Sequence, residues 1–241
     1  SVNDSAGNIN TTETRIVTID TIAPSLVIVT PTNNSNSSNT ALDVNYTVSN
    51  GAISCWFSND TYSVNTTLTT CGTNITTVVW SEGKHNVTIW SNDTAGNVAR
   101  NSTTFTIDTT NPLIVFGAVT TNTTNQTITN IFANVSVTEL NEQSIVFVLY
   151  NSTGLYNRTQ FNTPNRSINW TGLNDGNYSF NVSVNDSAGN INTTETRVVT
   201  IDSIAPSLVI VTPTNNSNSS NTNLDVNYTV STDAISCWFS N

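Results

Sequence analysis

Between Leu42 and Ser49 apolar and polar residues alternate without interruption. Leu42, Val44, Tyr46 and Val48 share one face, and Asp43, Asn45, Thr47 and Ser49 share the other. This period of two is that of a half-buried β-strand. It recurs at Val87 and Ile89, at Ala133, Val135 and Val137, and at Phe180, Val182 and Val184. Turn signals such as Asn50-Gly51, Ser81-Glu82-Gly83 and Asn174-Asp175-Gly176 separate the runs, at the spacing of roughly 8 to 12 residues seen in sandwiches, and no helical period competes. The pattern predicts an all-β chain of antiparallel β-sandwiches, with about seven strands in every ~90 residues. The densest apolar runs, Leu26 to Val29 and Ile145 to Tyr150, fall far short of the roughly 18 residues of a membrane helix, so no membrane insertion is expected in this segment.

The strands belong to a repeat. Residues 1–59 and 183–241 differ only at Ile16/Val198, Thr21/Ser203, Ala41/Asn223, Asn50/Thr232 and Gly51/Asp233. A weaker repeat lies inside that period. The stretch from Glu82-Gly83 through Asp93-Thr94-Ala95-Gly96-Asn97 matches Asp175-Gly176 through Asp186-Ser187-Ala188-Gly189-Asn190. Thr18-Ile19-Asp20, Thr106-Ile107-Asp108 and Thr200-Ile201-Asp202 each precede a linker with Pro24, Pro112 or Pro206, and proline suits the start of an edge strand better than its interior. These marks place complete domains at 21–109 and 110–202. Residues 1–20 then read as the last strands of a preceding copy, and 203–241 as the first strands of a following one. Either the chain continues in both directions or a neighbouring subunit completes the ends.

Composition narrows the function. Asn, Thr and Ser supply 40, 44 and 28 of the 241 residues, while charged residues are 9%, far below the roughly 25% of ordinary globular chains. Net charge is -10, and the six basic residues are scattered singly, which excludes nucleic acid as a primary ligand. Catalysis needs converging His, Cys or carboxylate groups, and His85 is the single histidine, so no enzyme is expected. Tyr178, two residues after Gly176, sits where a tyrosine corner would bond back to the backbone, and His85 holds the matching place in the first domain. Lys84 is the single lysine, too few for a general Lys-Asn staple. Sequons Asn-x-Ser/Thr number 25, roughly twice random placement. Half of that excess follows from strand geometry, since an outward Asn and an outward Thr flank an inward apolar residue. Asn33, Asn36, Asn122 and Asn125 read instead as loop sequons, and with Asn65 and Asn151 they are the candidate N-glycan sites.

Cys55 and Cys71 fall in one domain. A disulfide between them would close a loop worth about 3 kcal/mol and would fit an oxidising exterior; two buried thiols are the alternative. Cys237 corresponds to Cys55, so its partner would fall beyond residue 241.

The hairpin Asp-x-Ala-Gly-Asn (residues 4–8, 93–97 and 186–190) and the junction Val-Thr-Ile-Asp-Ser/Thr-Ile-Ala-Pro (17–24 and 199–206) resemble those of bacterial and archaeal Ig-like repeats, found in tandem along adhesins, surface-layer proteins and extracellular filaments. The resemblance implies an extended rod of Ig-like domains outside the cell, whose partners are neighbouring copies of the same repeat. In such a sandwich the linker Asp meets the FG hairpin of the domain that follows it. Asp20 is thereby brought towards Asp93 and Asn97, and Asp108 towards Asp186 and Asn190, with Glu139 and Glu142 near the second group. Oxygen ligands without Lys or Arg suit calcium, and related repeats stiffen their junctions with it; capping of the hairpin's own turn is the competing role for these Asp residues. The expected function is a structural repeat in the shaft of a stalk, adhesin or filament. Two alternatives stand beside it. A carbohydrate- or protein-binding adhesion module would present an exposed cluster drawn from Trp56, Trp80, Trp90 and Trp170. A filament subunit would be assembled by strand exchange between chains.

Overall fold

The computed structural model describes residues 1–60, 65–122, 125–162 and 164–240. Every regular element among them is a strand. By backbone contacts the chain forms two compact units. One is Ser1–Pro112 with Leu140–Glu142 and Asn185–Ile191; the other is Leu113–Glu139, Gln143–Val184 and Asn192–Asn241.

A small hairpin opens the first unit, with β1 (Val2–Asn3) antiparallel to β2 (Ile9–Asn10). The sandwich that follows splits its first strand between two sheets. β3 (Leu26–Thr30) pairs antiparallel with β5 (Asn45–Val48) in one sheet. After a cis Thr30–Pro31 bond, β4 (Ser35–Ser37) joins the other sheet, parallel to the last strand β9 (Val98–Ile107). That sheet continues through β8 (Gly83–Asn92) and β6 (Ser54–Asn59) to the edge strand β7 (Thr66–Leu68). Ser35–Ser37 is therefore a strand, where the sequence suggested a loop carrying Asn36. Side-chain periodicity could not reveal it, because a short polar edge strand is held by backbone bonds alone.

The alternation read from the sequence sets the core. Val44, Tyr46, Phe57, Val87, Ile89, Phe105 and Ile107 are buried between the sheets, with Ile75 and Trp80 from the connections. Each such side chain contributes on the order of 1.5–3 kcal/mol by leaving water. Trp80 closes one end of this core. Its ring N–H donates to the Leu42 carbonyl at 2.8 Å, and it meets the edge of Phe105 at 4.9 Å between centroids. His85 packs beside both rings, and its Nε2 donates to the Ser81 carbonyl at 2.7 Å.

The second sandwich repeats the plan. β10 (Leu113–Phe116), β12 (Asn130–Thr138) and β15 (Ser167–Thr171) form one sheet. The other runs β11 (Asn125–Gln126), β18 (Arg197–Ile201), β16 (Gly176–Asp186), β13 (Glu142–Asn151) and β14 (Gly154–Phe161), with β17 (Ile191–Thr193) also on β16. β11 runs parallel to β18, as β4 does to β9, so Asn125 too sits in a short polar strand and not in a loop. Along β16 every second residue from Tyr178 to Asp186 is buried. The Tyr178 hydroxyl donates to the Asn174 carbonyl at 3.0 Å. This is the same four-residue reach that His85 makes to Ser81, so imidazole and phenol do one structural job in the two sandwiches.

At the C-terminal end, β19 (Leu208–Thr212) pairs with β20 (Asn227–Val230). Its register copies that of β3 and β5 residue for residue: Leu208↔Val230 repeats Leu26↔Val48, and Thr212↔Asn227 repeats Thr30↔Asn45.

Candidate functional site

The three Asp-x-Ala-Gly-Asn hairpins share one hydrogen-bond pattern. In the second, Asp93 Oδ1 accepts from the backbone N–H of Ala95 and of Asn97, each at 2.9 Å, and Oδ2 accepts from Asn97 Nδ2 at 2.9 Å. Asp186 does the same with Ala188 and Asn190, and Asp4 with Ala6 and Asn8. The turn needs a left-handed residue, and Gly7, Gly96 and Gly189 supply φ of 86°, 87° and 94°. The first of these hairpins is exposed throughout, so five residues suffice to build the motif.

The hairpins hold the linkers, but not in the way the residue types suggested. Asn97 Nδ2 donates to the backbone carbonyl of Asp20 at 3.0 Å, and Asn190 Nδ2 to that of Asp108 at 2.8 Å. The linker carboxylates turn to their own backbone instead. Asp20 Oδ1 accepts from Ile22 N–H and Asp108 Oδ1 from Thr110 N–H. Asp20 and Asp93 therefore meet through Asn97 and a main-chain oxygen. Around Asp108 more is gathered. Asn141 Nδ2 donates to Asp108 Oδ2 at 3.3 Å, and Asn36 Nδ2 donates to Ser187 Oγ at 2.6 Å. Asp108 and Asp186, both in the first unit, place carboxylate oxygens within 4.8 Å of each other. Glu142, at the head of β13, is not part of this group. Oxygens at that spacing fit the 2.3–2.6 Å bonds of calcium, although Asp186 already spends three acceptor positions on its own turn.

The hairpin network fixes a pH response. The carboxyl of Asp93 is held below its ordinary range, first by the side-chain amide of Asn97 and then by the backbone amides of Asn97, Ala95 and Gly96, against an opposing effect of burial. A depressed folded-state value means that the stabilisation is complete above the usual aspartate pKa near ~4 and is lost as pH falls through the lower value. Hydrogen exchange at Ala95 and Asn97 is expected to accelerate as pH drops below that range, relative to the intrinsic rate. Asp93→Ala should show the fast exchange at every pH, and a wild-type hairpin equally protected on both sides of the range would contradict the assignment.

Cys55, buried on β6, is bonded to Cys71 in the turn after β7, with Cα atoms 5.3 Å apart. Beside it the backbone N–H of Gly72 donates to the Tyr46 hydroxyl at 3.0 Å, and burial raises the Tyr46 pKa. Cys237 is a free, exposed thiol.

The four tryptophans Trp56, Trp80, Trp90 and Trp170 divide into two classes. Trp80 and Trp170 are buried, the latter donating to Asn157 Oδ1 at 3.1 Å. Trp56 and Trp90 lie opposite one another on β6 and β8, with parallel rings 6.2 Å apart, and Arg100 stands over Trp90. Of the candidate sequon asparagines, Asn33, Asn65, Asn122 and Asn125 are exposed, whereas Asn36 and Asn151 are half-buried. A glycan on Asn36 would have to displace its bond to Ser187. Asn151 Oδ1 accepts from the backbone N–H and hydroxyl of Thr153.

No protein-family model matches this sequence, and no curated protein matches it significantly. Among solved structures, the chain is similar to the fibronectin(III)-like modules of Clostridium thermocellum CbhA, at 11% identity and a TM-score of 0.50 over 73% of this chain and 94% of that one. A tetra-tandem repeat from the extending region of a large adhesion protein matches at 18% identity, covering 78% of this chain and 52% of that one, with a TM-score of 0.33. A 1.5-MDa bacterial ice-binding adhesin matches at 14% identity, covering 79% and 69%, with a TM-score of 0.37. The fold is that of the fibronectin(III)-like β-sandwich, as the first of these matches shows.

Proposed function

We propose that this chain is a tension-bearing segment in the shaft of an extracellular surface protein, whether stalk, adhesin or filament. The observation that carries the reading is the parallel pairing of a first-strand segment with the last strand in both sandwiches. β4 meets β9 at Ser35↔Phe105, Asn36↔Thr106 and Ser37↔Ile107, flanked by Asn34 N–H to the Thr104 carbonyl and Asp108 N–H to the Ser37 carbonyl. β11 meets β18 at Asn125↔Thr200 and Gln126↔Ile201, followed by Asp202 N–H to the Gln126 carbonyl. When a sandwich is pulled by its two ends, parallel terminal strands slide along one another. Their hydrogen bonds are loaded together and must break together, whereas an antiparallel pair peels one bond at a time. The disulfide agrees with an oxidising exterior, and the exposed sequons with a glycosylated one. The Asp108 and Asp186 carboxylates are, in the same proposal, a calcium position at the linker.

Pulling single chains by their ends should give one force peak for each complete sandwich, the peak from the first being the higher because its parallel pair is longer. Reduction should lengthen one extension step by about 55 Å, the contour of the 16-residue loop that the disulfide conceals. Calcium should raise the force relative to chelator. A smooth extension without peaks would remove the load-bearing reading, and forces identical in calcium and chelator would remove the cation. The binding-module alternative rests on the partly exposed Trp56 and Trp90 pair.

A further inference from the structure

One row of side chains crosses the larger sheet of the first sandwich on the side away from its core. Thr67 on β7 is paired with Trp56 on β6, Trp56 with Trp90 on β8, and Trp90 with Arg100 on β9. Both indoles are half-buried and Arg100 is exposed. Apolar ring surface therefore lies open to solvent beside a guanidinium that stands 5.9 Å from the Trp90 centroid. A cross-strand aromatic pair stabilises a sheet, but the second sandwich shows that the fold does not require one here. Counted from the shared Asp-x-Ala-Gly-Asn hairpin, Trp90 corresponds to Ser183 and Arg100 to Thr193. There the two hydroxyls bond to one another at 2.9 Å, between β16 and β17. Charge sets the face apart as well. The outward residues of β6, β7, β8 and β9 include Lys84 and Arg100 and no carboxylate, in a chain of net charge -10.

We propose that the row Trp56, Trp90 and Arg100 is a saccharide-binding site whose ligand is a β-linked glycan ending in a hexuronic acid. The inference rests on the adhesion-module alternative, which it deepens, and is independent of the load-bearing reading. Binding sites join aromatic surface to a few placed polar groups, and an indole face suits the apolar C–H face of a pyranose. The carboxylate of a hexuronic acid is equatorial, at the edge of the sugar ring. It reaches a side chain beside the aromatic surface without lifting the sugar from it. Arg100 supplies the planar fork that takes a carboxylate through two parallel N–H donors. One guanidinium in the row fits one carboxylate. A long polyanionic chain would instead meet the repulsion of a net charge of -10, so the acidic sugar is a terminal one.

The test titrates the ¹⁵N-labelled 241-residue chain with two disaccharides. Cellobiouronic acid carries glucuronic acid β-linked to glucose, and cellobiose differs from it only by a hydroxymethyl group in place of the carboxylate. The indole N–H signals of Trp56 and Trp90 should move. Those of Trp80 and Trp170, which donate to the Leu42 carbonyl and to Asn157 inside the sandwiches, should stay. The acid should bind about tenfold more tightly than cellobiose at low salt, an advantage that shrinks as ionic strength rises. Arg100→Gln should remove that advantage and leave cellobiose binding unchanged. Trp90→Ser combined with Arg100→Thr installs the pair that the second sandwich already accommodates, and should lose both ligands with the backbone amide spectrum otherwise retained. Equal affinity for the two sugars would overturn the acidic ligand and leave the adhesion module standing. No movement with either sugar would overturn both, and binding that survives the double variant would overturn the site. None of these outcomes touches the force peaks expected from the parallel strand pairs.

Discussion

Phe180→Ala is expected to cost the second sandwich about 3–5 kcal/mol, the range for removing a buried aromatic ring. Phe180 is fully buried on β16, and its ring meets Phe116 at 5.5 Å and Trp170 at 5.8 Å, edge against face in each case. Such pairs contribute beyond the area they bury, and neither neighbour can collapse into the space, because each is fixed on a different strand. For a domain of this size each kcal/mol moves the melting temperature by roughly 4–8 °C, so the calorimetric step of the second sandwich should fall by about 12 °C or more. The step of the first sandwich should not move. Val198→Ala, on the neighbouring strand β18 opposite Ser179 but exposed, should change stability by no more than about 0.5 kcal/mol. Equal effects from the two substitutions would mean that the core is not where the burial places it.

Reduction of Cys55–Cys71 is expected to destabilise the first sandwich by about 3 kcal/mol, the chain-entropy value for a loop of this length, and to leave the second unaffected. The bond ties β6 to the turn that follows the edge strand β7, and β7 has a single neighbour. Once the bond is cut, the connection from Thr66 to Cys71 keeps the Cys55↔Leu68, Trp56↔Thr67 and Phe57↔Thr66 pairings and the Gly72 to Tyr46 bond, too little to hold it against its regained freedom. Calorimetry in the presence and absence of a phosphine reductant reads the effect. A first-sandwich step unmoved by reduction would show that this edge is held by its other contacts.

The near-identical ends of the chain separate what a segment encodes by itself from what its neighbours impose. The hairpin of β3 with β5 is rebuilt by β19 with β20 in the same register, and the Asp-x-Ala-Gly-Asn turn is rebuilt three times, once with all its residues exposed. These features were legible because alternation and turn chemistry are properties of adjacent residues. Ser54–Asn59 is strand β6 between β7 and β8, whereas Ser236 to Ser240, the same residues, form no strand. There the sequence is constant and only the pairing partner differs. β4 and β11 were missed for a related reason, since Ser, Asn and Gln in a short edge strand leave no periodic trace. At the linkers the participating residues were legible, but not that Asp20 and Asp108 offer main-chain oxygens to Asn97 and Asn190, since a residue's type says nothing of where its carbonyl points. Where carboxylates do gather, at Asp108 and Asp186, their residue types were the usable signal.

The grip of Asn97 and Asn190 on a carbonyl has a bearing on inheritance. Every residue type carries that oxygen, so the residue held can mutate without the hold being lost, while the Asn that does the holding is built into a five-residue turn that travels with its own module. A gene could then gain or lose whole modules by recombination between near-identical stretches, and each new neighbour would meet an attachment that accepts it at once.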